Sequence, residues 1–211
     1  MVKKLGIVAV VCLLVLVVVA SGCPAPVTVT VTETAPAPAP KTVTKTVTKT
    51  VTVTATPTTP SGPTTYTNTE HKFSIVYPGG WIESKTGFPN EVTSFAPRPQ
   101  PTVPDIVIFL EAVEAGTTLD KLGPQRVQQM SQEMDEFKLI SEGEIKLKDG
   151  TPAYEIESQF LVEQYNVYIQ EKALYVIRGT ELFTITGADI VDSFAASKAK
   201  LEEAMYTFHL E

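Results

Sequence analysis

LISEGEIKLKDGTPAYEIESQF, residues 139–160, holds two alternating runs of side chains separated by one tight turn. In the first run Leu139, Ile145 and Leu147 share a face. In the second, Tyr154, Ile156, Ser158 and Phe160 point one way and Glu155, Glu157 and Gln159 the other. A period of two is the signature of a half-buried strand. Asp149-Gly150 between the runs supplies the positive-φ residues that a tight hairpin needs. The stretch therefore predicts two antiparallel strands with an apolar inner face and an acidic outer one.

Upstream, Phe73–Tyr77 reads as a strand stopped by Pro78-Gly79-Gly80, and a second covers 92–96. A third, 105–114, is continuously apolar from Ile106 to Leu110, which predicts a central position. Thr117-Thr118 offers an N-cap to a helix carrying Leu119, Leu122, Val127, Met130, Met134 and Phe137, with Pro124 expected to break or restart it. Downstream lies a long strand, 165–178, with a bulge expected where Glu171-Lys172 interrupts the alternation. A turn at Gly179-Thr180, a strand at 182–186 and a helix over 190–205 follow, and 206–210 closes the chain. Three strands, a helix, four strands and a helix are not βαβ alternation. The pattern predicts an α+β fold: a mostly antiparallel sheet of about six to seven strands covered by helices, an α/β/α sandwich.

The rest of the 211 residues is of another character. Residues 1–23 open with Lys3 and Lys4, continue as an uncharged run from Leu5 to Ala20, and end Ala20-Ser21-Gly22-Cys23. That order is the layout of an export signal. Small residues directly before a cysteine resemble the bacterial lipobox, which implies Cys23 as the lipidated new N-terminus, although Ala20 stands where leucine is usual. An uncleaved signal anchor is the competing reading, and its sixteen uncharged residues are short of the ~20 needed to span a bilayer. Either way the remainder is expected outside the cytoplasm, lipid-anchored at the cell membrane in the first case.

Residues 24–65 contain 16 Thr, 8 Pro and 7 Val among 42, repeat Lys-Thr-Val-Thr from 41 to 52, and lack aromatic, Leu, Ile and Met residues, so no core can form. They read as a disordered stalk. The Val/Thr alternations at 27–32 and 50–54 have strand character but are expected to stay extended for want of a partner.

The domain, 66–211, carries 12 Lys+Arg against 23 Asp+Glu, a net of −11. That balance excludes a nucleic-acid footprint. With Cys12 in the leader and Cys23 acylated, the mature domain has no thiol, hence no disulfide and no cysteine chemistry. His71 and His209 lack ligand spacing, and no phosphate-loop or nucleophile-elbow motif occurs. Neither a catalytic set, a metal site nor a cofactor is predicted. Trp81, after the Pro-Gly-Gly turn, is first a packing anchor and second a ligand platform. The acidic pair Glu111/Glu114 is first a set of solvent-facing strand positions and second a cation cradle.

One resemblance joins these pieces. Tyr66…His71-Lys72-Phe73-Ser74-Ile75-Val76-Tyr77-Pro78…Trp81 is similar to the opening of PsbP-like domains. Gly150-Thr151-Pro152-Ala153-Tyr154 resembles the family's hairpin, and Leu182–Thr186, the last helix and Tyr206-Thr207-Phe208 its close. The resemblance spans essentially all of 66–211 and implies an antiparallel sheet sandwiched by helices, in a family of binding, assembly and accessory proteins without shared catalytic residues. The expected function is a membrane-anchored, non-catalytic binding or assembly module with an extracytoplasmic protein partner. A receptor domain for a small ligand or cation is the alternative.

Overall fold

The computed structural model describes residues 62–100 and 102–211, together with the backbone of 27–33 and 47–53. The leader, Cys23 and the remainder of the stalk lie outside the described residues. The chain divides into two units, one within 17–58 and the other holding the domain. In the first, β1 (Val27–Glu33) and β2 (Val47–Val53) form an antiparallel pair with Val29 opposite Val51 and Thr30 opposite Thr50. The two Val/Thr runs are thus not partnerless: each is the other's partner.

The domain is built from β3 (Thr64–Asn68), β4 (Phe73–Tyr77), β5 (Ile82–Ser84), β6 (Glu91–Ala96), β7 (Asp105–Ala112), α1 (Leu119–Glu133), β8 (Asp135–Lys146), β9 (Pro152–Val162), β10 (Val167–Arg178), β11 (Glu181–Ile190), α2 (Val191–Met205) and β12 (His209–Leu210). Seven strands form one antiparallel sheet in the order β5-β6-β7-β11-β10-β9-β8. The chain's end, β12, joins β4 and β3 in a second, three-stranded sheet. The fold is α+β, as the alternation predicts. The long β7 sits between β6 and β11, the central place its apolar run requires.

Both faces of the large sheet are covered. On one, α2 and the small sheet pack Phe194, Leu201, Met205, Phe73, Ile75 and Phe208 against Leu174, Phe183 and Ile185. Phe73 meets Phe183 edge-on at 5.7 Å and lies 5.3 Å from Phe208, a geometry favoured by ring quadrupoles. On the other face α1 sets Leu122 and Met130 over Tyr154, Ile156, Tyr175 and Leu182. Each such buried side chain contributes roughly 1.5–3 kcal/mol.

Four local expectations are corrected. Pro124 does not break α1, which runs unbroken from Leu119 to Glu133. The preceding residue is Gly123, with no Cβ to collide with the proline ring. Met134 ends the helix, and Phe137 belongs to β8 instead of the helical stripe. The ladder of β10 is regular through Glu171-Lys172; the register shifts fall instead in β8, at Asp135/Lys138 and Leu139/Ser141, and in β6. Finally, Glu157 is not outward-facing but 4% exposed, because α2 lies over it.

Gly123 has a second duty. A Cβ there would stand 2.2 Å from the Tyr154 ring, whose hydroxyl donates to the Glu142 carboxylate at 2.8 Å. Gly123→Ala is expected to cost about 1–3 kcal/mol by overpacking, although alanine is the better helix former. Urea unfolding of the variant checks this; an unchanged midpoint would show that α1 shifts freely.

Candidate functional site

Adjacent residues of β10, Glu171 and Lys172, project to opposite faces of the sheet, and both are buried, at 2% and 4% exposure. Their surroundings differ completely.

The Lys172 ammonium is saturated. It lies 2.8 Å from Glu202 of α2, 2.9 Å from Glu155 and 3.4 Å from Glu157, with the Tyr206 hydroxyl at 3.5 Å. Lys198 reaches Glu157 at 2.8 Å, Gln170 donates to the same carboxylate at 2.6 Å, and Tyr206 donates to Glu155 at 2.5 Å. Burial pulls the Lys172 ammonium down, but the bonds to Glu202 and Glu155 outweigh it and hold the group above the ordinary lysine range. Burial raises the Glu157 carboxyl, yet Lys198 and Gln170 bring it below its usual value. Burial and Glu155 push the Tyr206 phenol up to about 12. With every charge paired, this cluster fastens α2 to the sheet and leaves no vacant position for chemistry.

Glu171 is the reverse case. Its carboxyl makes no hydrogen bond or ion pair with the described residues, and burial alone pushes it up to about 7. It lines a cleft between α1 and the sheet with Tyr175, Thr184, Met130, Glu111 and Arg126, and the cleft has about 20 Å³ of accessible space. Directly opposite Glu171 in the ladder, Ser158 buries an Oγ without a partner among the described residues. Arg126 of α1 pairs with Glu111, donates to Gln129 at 3.1 Å and stands 5.9 Å over the Tyr175 ring, but its Nε is buried and unpaired. The Tyr175 hydroxyl has only the Met130 sulfur, at 4.0 Å. One strand further along the same row, past Ala188, Asp105 accepts from Gln100 at 3.2 Å and is pushed up by burial to about 8. Buried polar groups are almost always paired, so this density of unmatched ones marks the cleft as the candidate site.

Of the residues singled out from sequence, Glu111 is here, half-buried and facing α1 rather than solvent. Glu114 is exposed beyond the end of β7, its carbonyl accepting from Thr117. The two do not share a site. Trp81 is 4% exposed, its backbone N–H donates to the Pro78 carbonyl at 3.2 Å, and its side chain belongs to the larger core cluster. His209 pairs with Asp149 at 2.5 Å, and His71 lends its carbonyl to Arg178. Among the described residues no group of three or more His, Asp and Glu is arranged to hold a metal ion. Glu171 itself was marked in the sequence only by the failure of alternation at 171–172.

A second surface lies around β8, one of the two edge strands of the large sheet. Leu139 and Ile140, at the register shift, are 36% and 41% exposed. At the neighbouring β9–β10 turn Tyr165 and Tyr168 are 38% and 46% exposed, and the Tyr168 hydroxyl donates to Glu136 of β8 at 2.5 Å.

The PsbP family model matches residues 61–210. The solution structure of cyanobacterial PsbP, CyanoP, from Synechocystis sp. PCC 6803 superposes with a TM-score of 0.56 at 20% identity, over 74% of this chain and 97% of that one. Protein PA94 of Pseudomonas aeruginosa, of unknown function, gives 0.46 at 14% identity over 69% and 95%. No curated protein matches the chain.

Proposed function

The chain belongs to the PsbP family, and from that premise we propose that it is a membrane-anchored, extracytoplasmic accessory protein that binds or helps assemble a protein partner without catalysing a reaction. The anchor in this reading is Cys23, the stalk spaces the domain from the bilayer, and the domain presents its surface to the partner. The observation that carries it is the apolar and aromatic group along the β8 edge: Leu139, Ile140, Tyr165 and Tyr168. Exposed apolar patches with aromatic members are what protein interfaces use. An edge strand of this kind is normally guarded, and the irregular register of β8 guards it from indiscriminate pairing while leaving those side chains outward.

The test is a photo-crosslinking side chain at Ile140 in the full chain, expressed in its own cells. One discrete adduct is expected, lost on Leu139→Asp. The same preparation, taken from the membrane fraction, is expected to have the mass of a chain beginning at a diacylglyceryl-Cys23. Adducts of no fixed size would defeat the interface, and an intact unmodified Met1 would defeat the anchor.

A further inference from the structure

The cleft under α1 has a floor that its own residues leave unfinished. Among the described residues Arg126 is the cation that lines the cleft; its two terminal nitrogens are committed to Glu111 and Gln129, its Nε is unpaired, and Glu171 has no partner among those residues. The carboxylates Glu111, Glu133 and Glu171 outnumber that one guanidinium. An occupant that balances this excess brings positive charge and donates hydrogen bonds: Glu171 only accepts when ionised, while Tyr175 and Thr184 offer hydroxyls that adjust to a donor. The accessible space of about 20 Å³ in the cleft holds a single water-sized group. The Tyr175 ring and the thioether of Met130 line it with surfaces that favour a cation and adapt in shape.

We infer that the cleft between α1 and β10 seats one primary ammonium group, with Glu171 as its carboxylate and Tyr175 and Thr184 as hydroxyl partners. The ammonium belongs either to a small free amine or to a lysine side chain reaching in from a partner. This rests on the reading of the domain as a binding module, and it names the chemistry that one of its sites recognises. Since the Glu171 carboxyl titrates near neutrality, an arriving cation displaces its proton at little cost.

The experiment titrates the full chain with methylammonium chloride at constant ionic strength and follows the amide resonances of Glu171, Tyr175 and Thr184. Saturable shifts are expected, with the apparent Kd raised at least about tenfold in Glu171→Gln, as loss of a charged hydrogen-bond partner implies. Tetramethylammonium, which has no N–H, should give none. Nα-acetyl-lysine-methylamide distinguishes the sources: saturation by it points to a partner's lysine, and saturation by methylammonium alone to a free amine. Thr184→Val removes one lining hydroxyl without touching the charge and is expected to weaken binding severalfold, so the inference stays exposed should Glu171→Gln misfold. Failure of both amines to saturate, or an unchanged Kd in the variants, would overturn it. A persisting crosslink at Ile140 would then show that only this site, and not the binding role, had fallen.

Discussion

Lys172→Met is expected to lower the stability of the domain by about 3–5 kcal/mol, the cost of removing one member of a buried ionic cluster. For a domain of this size that is a fall in melting temperature of roughly 10 °C or more. The Lys172 side chain is 6% exposed, and its ammonium holds Glu155, Glu157 and Glu202 together. Without it those carboxylates face one another with Lys198 alone to balance them, and Lys198 is 39% exposed. Methionine keeps the length of the chain, so the loss is one of charge rather than volume. Salt should restore little, since screening acts weakly on buried pairs. Adding Glu157→Gln to the variant removes one of the stranded charges and should recover part of the loss. Guanidinium or urea unfolding at neutral pH measures all three proteins. A decrease below about 1 kcal/mol would mean that the cluster opens to water and that α2 is held by its apolar face only.

The same cluster shows where the sequence stops speaking. Alternation in 152–162 correctly sorts Tyr154, Ile156 and Phe160 to one face of β9, but it labels Glu155 and Glu157 as outward without saying what lies there. A strand's period tells which residues share a face; only the placement of α2, 34 or more residues later, makes the second face an interior. Lys172 and Glu171 broke the alternation visibly, and a bulge was the local explanation. The actual one is tertiary: a central strand buried on both faces, each charged residue meeting a different layer. Elements with strong local signals were legible, among them the Asp149-Gly150 hairpin, the apolar β7 and the last helix. The three-residue β5 and the weakly patterned β3 were not, because their strand state is imposed by the partners they pair with. Phe137 was misplaced for a related reason: an apolar residue three after Met134 satisfies a helical period and a strand's first turn alike.

Between about pH 5 and about pH 8.5 the domain is expected to lose stability as the pH rises, by several kcal/mol. The sign follows from two carboxyls on the α1 side of the sheet. Burial lifts Asp105 from 3.8 to about 8, helped by the charges of Glu171, Asp189 and Glu91 and opposed by the Gln100 hydrogen bond. Burial lifts Glu171 from 4.5 to about 7. In the interval between the unfolded and folded values the native chain keeps a proton that the unfolded chain releases, so stability falls by up to about 1.4 kcal/mol per unit for each group. The loss is complete once the pH passes the folded values. Glu157 and Asp149 are shifted the other way and work in a separate window: their contribution is present above their unfolded values and is lost only as the solution becomes more acidic than that. Asp105→Asn isolates the larger effect. The amide oxygen can still accept from Gln100, and there is no longer a charge to bury, so the variant should equal or trail the parent near pH 5 and exceed it at about pH 8.5. Chemical unfolding across that range, on the parent, Asp105→Asn and Glu171→Gln, gives three slopes. Identical slopes would mean that water reaches these carboxyls in the folded protein.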